Sequence, residues 1–118
     1  MALQRELGVS SVDATATLAI QGSVATGLVA TGTVVGDALV LGAANNFITT
    51  SAASTGVRLP PGGAGDVVFI MNRAGQAVNV YPPTGATVNA TTSFSQTSAK
   101  GAFYIYSSAT AIEPVLSA

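Results

Sequence analysis

Five acids are the only carboxylates this chain could use for proton transfer: Glu6, Asp13, Asp37, Asp66 and Glu113. Histidine and cysteine are both absent. Without them there is no ordinary general base near neutral pH, no His-based triad and no zinc site built from His or Cys. A glycosidase pair would need two carboxyls roughly 5–9.5 Å apart. Asp37 and Asp66 are the pair to consider, because each follows a glycine at the start of a hydrophobic run, "GDALVL" and "GDVVFIM". The same placement serves a simpler task, in which the side chain accepts a backbone N–H in the turn. That turn role is the preferred reading. Lys100, in "TSAKG", reads as a solvated turn residue rather than a nucleophile. "PPGGAGD" offers glycine N–H groups to an anion, but it lacks a Gly-Lys-Ser/Thr ending and no helix follows to aim a dipole at a phosphate. No loop gathers enough acids for calcium. "NATT" at Asn89 matches a glycosylation acceptor in form only, since nothing signals secretion. The residues therefore predict no enzyme, no metal site and no cofactor.

What must position these groups is a small domain of unusual surface chemistry. The 118 residues fit one domain, and a domain of that size buries only part of the surface its unfolded chain exposes. Charged residues make up 8%, against about 25% in an ordinary soluble domain. With so few ionic groups to cover an isolated surface, much of the exterior is expected to face other protein. The net charge is −1, and Arg5, Arg58, Arg73 and Lys100 are scattered, so no phosphate-binding face is expected and direct nucleic-acid binding is not predicted. No apolar run reaches about 18 residues, and no membrane span is expected. "MALQRELG" has no long apolar region after it and does not read as a signal peptide.

Periodicity along the chain predicts an all-β fold, a small antiparallel β-sandwich or β-barrel with a short N-terminal arm. The arm covers residues 1–14 and the single β domain residues 15–118. Within the arm, Leu3 and Leu7 are four apart, so residues 2–7 have the spacing for a short helical turn that ends at Gly8. The arm either orders on a neighbour or frays. "TATLAI" then alternates with period two, as in a half-buried strand. Glycines at 22, 27, 32 and 36 allow only short strand pieces with bends or bulges. "DALVL", residues 46–50 and "GVRL" read as strands, and Pro60–Pro61 with "GGAG" as a loop. "DVVFIMN" is apolar at both parities and predicts a central strand buried on both faces. "RAG" and "QAVNVY" complete a hairpin with it. "GDALVLGAANNFITT" shares a loose outline with "GDVVFIMNRAGQAVNVY", compatible with two similar hairpins. Pro82–Pro83 end a strand because neither can donate to a ladder, and Tyr81, Pro82, Pro83 and Gly85 form a structural corner that turns the chain. "TVNATTSF" and the aromatic "AFYIYSS" follow as strands, and Pro114 places "AIEPVLSA" at an edge or in a loop.

Two groups of side chains admit a binding role beside a structural one. Tyr81, Phe103, Tyr104 and Tyr106 are expected mainly in the core, with one or two tyrosines at its rim, although an exposed aromatic patch could hold a sugar or a partner. Arg58 and Arg73 pair either with a carboxylate on a neighbouring chain or with Asp66.

Residues 56–106 carry a resemblance. "GVRLPPGGAGDVVFIMNRAGQAVNVYPPTGATVNA", followed by a Ser/Thr-rich link and "AKGAFYIYSS", resembles a module of tailed-bacteriophage structural proteins. Gly65 and Asp66 match the start of its strand. Asn72, Arg73 and Gly75 match its turn, and Asn79, Val80, Tyr81, Pro82, Thr84, Gly85 and Ala86 its corner. Lys100 to Tyr106 fit the small-residue segment and aromatic strand that end the module. With "NNFITTSAASTGVRLP" upstream, the likeness covers roughly residues 36–118. It departs near the end, where many members carry a tryptophan and this chain reads "AIEPVLSA".

The resemblance implies a virion component, most like a small head-decoration (cement) protein. Such a protein binds the major capsid protein on the outer surface of the phage head at capsomer junctions, commonly as a homotrimer. It then implies capsid contacts from the arm residues Leu3, Arg5, Glu6 and Leu7; the intersubunit or turn pairing expected of Arg58, Asp66 and Arg73 comes from the scarcity of charges and not from the resemblance. The alternative is a tail or fibre-associated receptor-binding module that recognises host surface carbohydrate. A cytoplasmic phage enzyme or regulator is disfavoured by the missing His, Cys and acid cluster.

Overall fold

A computed structural model describes Arg5–Glu6, Val9–Ser10 and residues 22–117 of the chain. The strand expected at "TATLAI", the side chains of the arm and the boundary between arm and domain lie outside the described residues. Arg5–Glu6 (β1) and Val9–Ser10 (β2) pair antiparallel, so residues 5 and 6 are extended and not part of a helical turn.

The domain is all β, as its alternation predicts, but its strands stack like a solenoid. Ten strands follow: β3 (Val24–Val29), β4 (Leu39–Val40), β5 (Asn45–Thr50), β6 (Gly56–Arg58), β7 (Val67–Asn72), β8 (Val78–Tyr81), β9 (Thr87–Val88), β10 (Phe94–Gln96), β11 (Gly101–Ser108) and β12 (Ala111–Leu116). They form a six-stranded sheet in the order β3-β5-β7-β11-β12-β9 and a four-stranded sheet in the order β10-β8-β6-β4. From β3 to β8 the chain alternates between the sheets. Each passage adds a strand parallel to the one before: β3, β5 and β7 in the larger sheet and β4, β6 and β8 in the smaller. From β10 the sense reverses, and β10, β11 and β12 pair antiparallel with β8, β7 and β11.

The hairpin expected from "DVVFIMNRAGQAVNVY" is therefore replaced by an arch, with β7 and β8 in opposite sheets. Asn72 explains the geometry. Its Oδ1 accepts from the Ala74 N–H and its Nδ2 donates to the Gln76 carbonyl, so one side chain holds the bend across residues 73–76. Both edges of β7 are also already taken, by β5 and β11. The two Gly-Asp segments are not structural equivalents either, because β4 lies in the smaller sheet and β7 in the larger. The repeat in the structure is one strand in each sheet, β3–β4, β5–β6 and β7–β8.

Alternation fixes the core between the sheets. Ile48, Val57, Leu59, Ile70, Val78, Val80, Val88 and Ile112 are fully buried there. Tyr104 and Tyr106 join them, each with its hydroxyl satisfied: Tyr104 donates to Gln96 Oε1 at 2.7 Å and Tyr106 to the Pro60 carbonyl at 2.6 Å. Pro114 lies on a stretch of β12 with no second neighbour, since β9 reaches only Ala111 and Ile112. That is the edge position its missing N–H requires.

Burial sets a pH limit on this core. It raises the Tyr104 hydroxyl well above the ordinary tyrosine range. Tyr106 is lifted from 10.0 to about 12 by burial and then by the Asp66 carboxylate. Both groups keep their protons longer in the folded than in the unfolded chain. Their contribution is intact below the unfolded value of 10.0 and is lost as the pH rises from there through about 12. Alkaline titration followed by circular dichroism should show the melting temperature falling once the pH passes about 10. An unchanged melting temperature at about pH 11 would contradict it.

Candidate functional site

The most hydrophobic strand has one face in water. Val68, Ile70 and Asn72 of β7 point into the core, while Val67 is exposed and Phe69 and Met71 are half-buried on the outer face. This corrects the expectation of a strand buried on both sides. Register extends the exposed row across four strands: Asn45 of β5, Phe69 of β7, Phe103 of β11 and Val115 of β12 lie side by side. The Phe69 and Phe103 rings are 5.0 Å apart, tilted at 52°, and Phe47 meets Phe69 edge-on at 6.1 Å. A second row sets Val67 beside Ile105 and Glu113.

Two adjoining features shape this face. Gly101 opens a notch, since a Cβ there would lie 3.1 Å from Phe69 Cζ and 3.3 Å from Met71 Sδ. The notch continues into an apolar hollow of about 400 Å³ walled by Phe103, Val115 and Leu116. Phe103 is 49% exposed and Val115 54%. Covering a contiguous apolar patch of this kind would contribute about 1.5–3 kcal/mol for each large side chain buried. Glu113 is the only charged side chain on the two rows.

The aromatic expectation is thus inverted in part. Tyr104 and Tyr106 are interior and Phe103 is exterior, on opposite faces because successive residues of a strand alternate. A tyrosine tolerates the interior here because Gln96 and Pro60 accept its proton. Phe47, Phe69, Met71 and Val115 were missed as site residues. The signal for Phe69 and Met71 was present in the apolar residues at both parities of "DVVFIMN"; Phe47 and Val115 join them only through the strand register.

The structure places the other singled-out residues apart from this face. Asp66 fills the turn role, its Oδ2 accepting the Gly63 N–H at 2.9 Å, and no ion pair joins it to Arg58 or Arg73 among the described residues. Arg73 is exposed, with its backbone N–H donated to Ile48. The corner turns as expected. Pro82 and Pro83 are buried, Ala86 N–H donates to the Pro83 carbonyl, and Gly85 takes a φ of +83°, where a side chain would be strained. Tyr81 does more than end a strand. Its ring lies over Gly56, where a Cβ would come within 2.7 Å of Cε2, and its hydroxyl donates to the Thr33 carbonyl at 3.3 Å. Of the suspected arm contacts, Leu3 and Leu7 lie outside the described residues, and Arg5 and Glu6 are placed only as strand backbone. No cluster of three or more metal-ligating side chains occurs among the described residues. No helix among them is long and apolar enough to cross a membrane.

No protein-family model matches the chain, and neither a curated protein nor a solved structure matches it.

Proposed function

We propose that this chain is a bacteriophage capsid decoration protein, without enzymatic activity, that binds the major capsid protein on the outside of the head at capsomer junctions. The observation that carries the proposal is the apolar row Phe69–Phe103–Val115, open to solvent on the outer face of the larger sheet. The likeness of residues 36–118 to a phage virion module supports it from the sequence. In this reading three copies bury the apolar rows against one another as a homotrimer, and the arm, with Leu3, Arg5, Glu6 and Leu7, reaches the shell. Binding needs no chemistry. A ligand that recognises only the closed shell, held at 100 times its Kd, stabilises each site by about 2.7 kcal/mol, and many sites add.

A second reading, a tail or fibre-associated module that recognises host carbohydrate, is favoured by one feature. Stacked coils extend naturally along their axis, as a shaft does. Incubation of the purified chain with expanded heads, tails and host cells separates the two. We expect saturable binding to heads, at regular lattice positions in electron cryomicroscopy. Binding to cells or tails with none to heads would replace the first reading by the second.

A further inference from the structure

A groove of about 340 Å³ runs along the loop edge of the molecule and shares no lining residue with the apolar hollow on the larger sheet. Arg58, Leu59, Pro61, Pro83, Thr84 and Thr110 line it. Its walls are stiff for identifiable reasons. The Pro60–Gly62 segment is tied down by the Tyr106 hydroxyl on the Pro60 carbonyl and by Asp66 Oδ2 on the Gly63 N–H. The opposite wall is the buried Pro82–Pro83 corner with its Gly85 turn. Such walls need little ordering when something binds.

Arg58 is the one cation among the residues that line this groove. It points outward from β6, between Val40 of β4 and Tyr81 of β8, because its neighbour Val57 points into the core. The side chain is half-buried, and among the described residues its guanidinium has neither a hydrogen-bond nor an ion-pair partner. Thr84 and Thr110 add hydroxyls, while Val40, Leu59, Pro61 and Pro83 supply apolar wall. A planar guanidinium among these apolar walls matches a carboxylate carried on an aliphatic stem. No aromatic ring lines the groove, so it offers a sugar no stacking platform. A lone cation does not make a phosphate-backbone site.

We propose that this groove is a recognition site for an acidic side chain on a partner polypeptide, with Arg58 pairing the carboxylate and the two proline walls holding its stem. The inference stands apart from the decoration reading, since it needs neither a trimer nor a shell.

The test uses the full chain labelled with ¹⁵N and titrated to millimolar concentrations with blocked tripeptides, acetyl-Ala-Glu-Val-amide and acetyl-Ala-Gln-Val-amide, and with methyl glucuronide. The glutamate peptide should saturably shift the Arg58 Nε–H and the Gly62, Thr84 and Thr110 amides. The glutamine peptide should bind at least about tenfold more weakly, the loss of one charge-assisted hydrogen bond. Arg58→Lys should weaken the glutamate response and Arg58→Gln abolish it at unchanged melting temperature. If Arg58→Gln fails to fold, the comparison of the two peptides on the unmodified chain decides. Equal shifts from both peptides, no saturable shift, or a glucuronide that binds as tightly as the glutamate peptide would overturn the proposal. Each result leaves head binding to be scored separately.

Discussion

Phe103→Asp is expected to leave the domain folded and dissolve the proposed homotrimer. Phe103 is 49% exposed on the outer face of β11, so the isolated domain loses little by the change. The proposed homotrimer would lose much more. In a homotrimer that buries the row of Phe69, Phe103 and Val115, each interface would forfeit an aromatic burial and gain a desolvated carboxylate, a cost of at least about 2 kcal/mol. That is roughly 30-fold per interface and on the order of 10⁴-fold over three. Light scattering coupled to size-exclusion chromatography should show a trimer for the unmodified chain and a monomer for the variant, with head binding lost in parallel. Ser95→Asp, exposed on β10 of the other sheet, serves as the control and should change neither. An unmodified chain that stays monomeric at about 100 μM, well above the Kd such an interface would give, would remove the trimer from the proposal.

The largest stability effect is expected at Asn72. The side chain is fully buried at the end of β7 and makes three hydrogen bonds of 3.0 Å. Its Nδ2 donates to the carbonyls of Gln76 and Gln96, and its Oδ1 accepts from the Ala74 N–H. Asn72→Ala removes all three and leaves a small cavity, so a loss of about 3–4 kcal/mol is expected. For a domain of this size that is a fall of roughly 12–20 °C in melting temperature. Gln96 ties the same site to the opposite sheet, because its Nε2 donates to Ile70 and Lys100 and its Oε1 accepts from Tyr104. Tyr104→Phe alone should cost about 1 kcal/mol from the lost hydrogen bond. Combined with Asn72→Ala it should depart from additivity by at least about 0.5 kcal/mol, since both changes act on Gln96. Urea unfolding of the two single variants and the double variant measures this. Strict additivity would show that the two ends of the network are independent.

Asn46 is the counterpoint to Asn72. It is equally buried, and its Nδ2 donates to the carbonyls of Ala43 and Phe69. Its Oδ1 is the one buried side-chain atom without a partner among the described residues. Asn46 therefore holds β5 to the adjoining loop and to β7 by its donors alone. Asn72 is tied at both ends and fixes the arch that carries the chain from one sheet to the other.

Period-two alternation and the lack of any amphipathic helical stretch were enough to read the all-β class from the residues. Pro82, Pro83 and Gly85 announced the corner through their own backbone constraints, and the place of Asp66 beside Gly65 announced its turn. These features are local, and local chemistry decides them. Which strands become neighbours is a different matter. "DVVFIMN" and "QAVNVY" make an equally good hairpin or arch by pattern, and the choice fell to Asn72 and to the β5 and β11 edges that occupy β7. Alternation likewise separates Tyr104 and Tyr106 from Phe103 and Ile105, yet it does not say which set faces inward. Only the tertiary structure decided that, because Gln96 and the Pro60 carbonyl, 8 and 46 residues away from the tyrosines, are the acceptors that let a hydroxyl stay buried. The phenylalanine left outside lies on the exposed apolar row of the larger sheet.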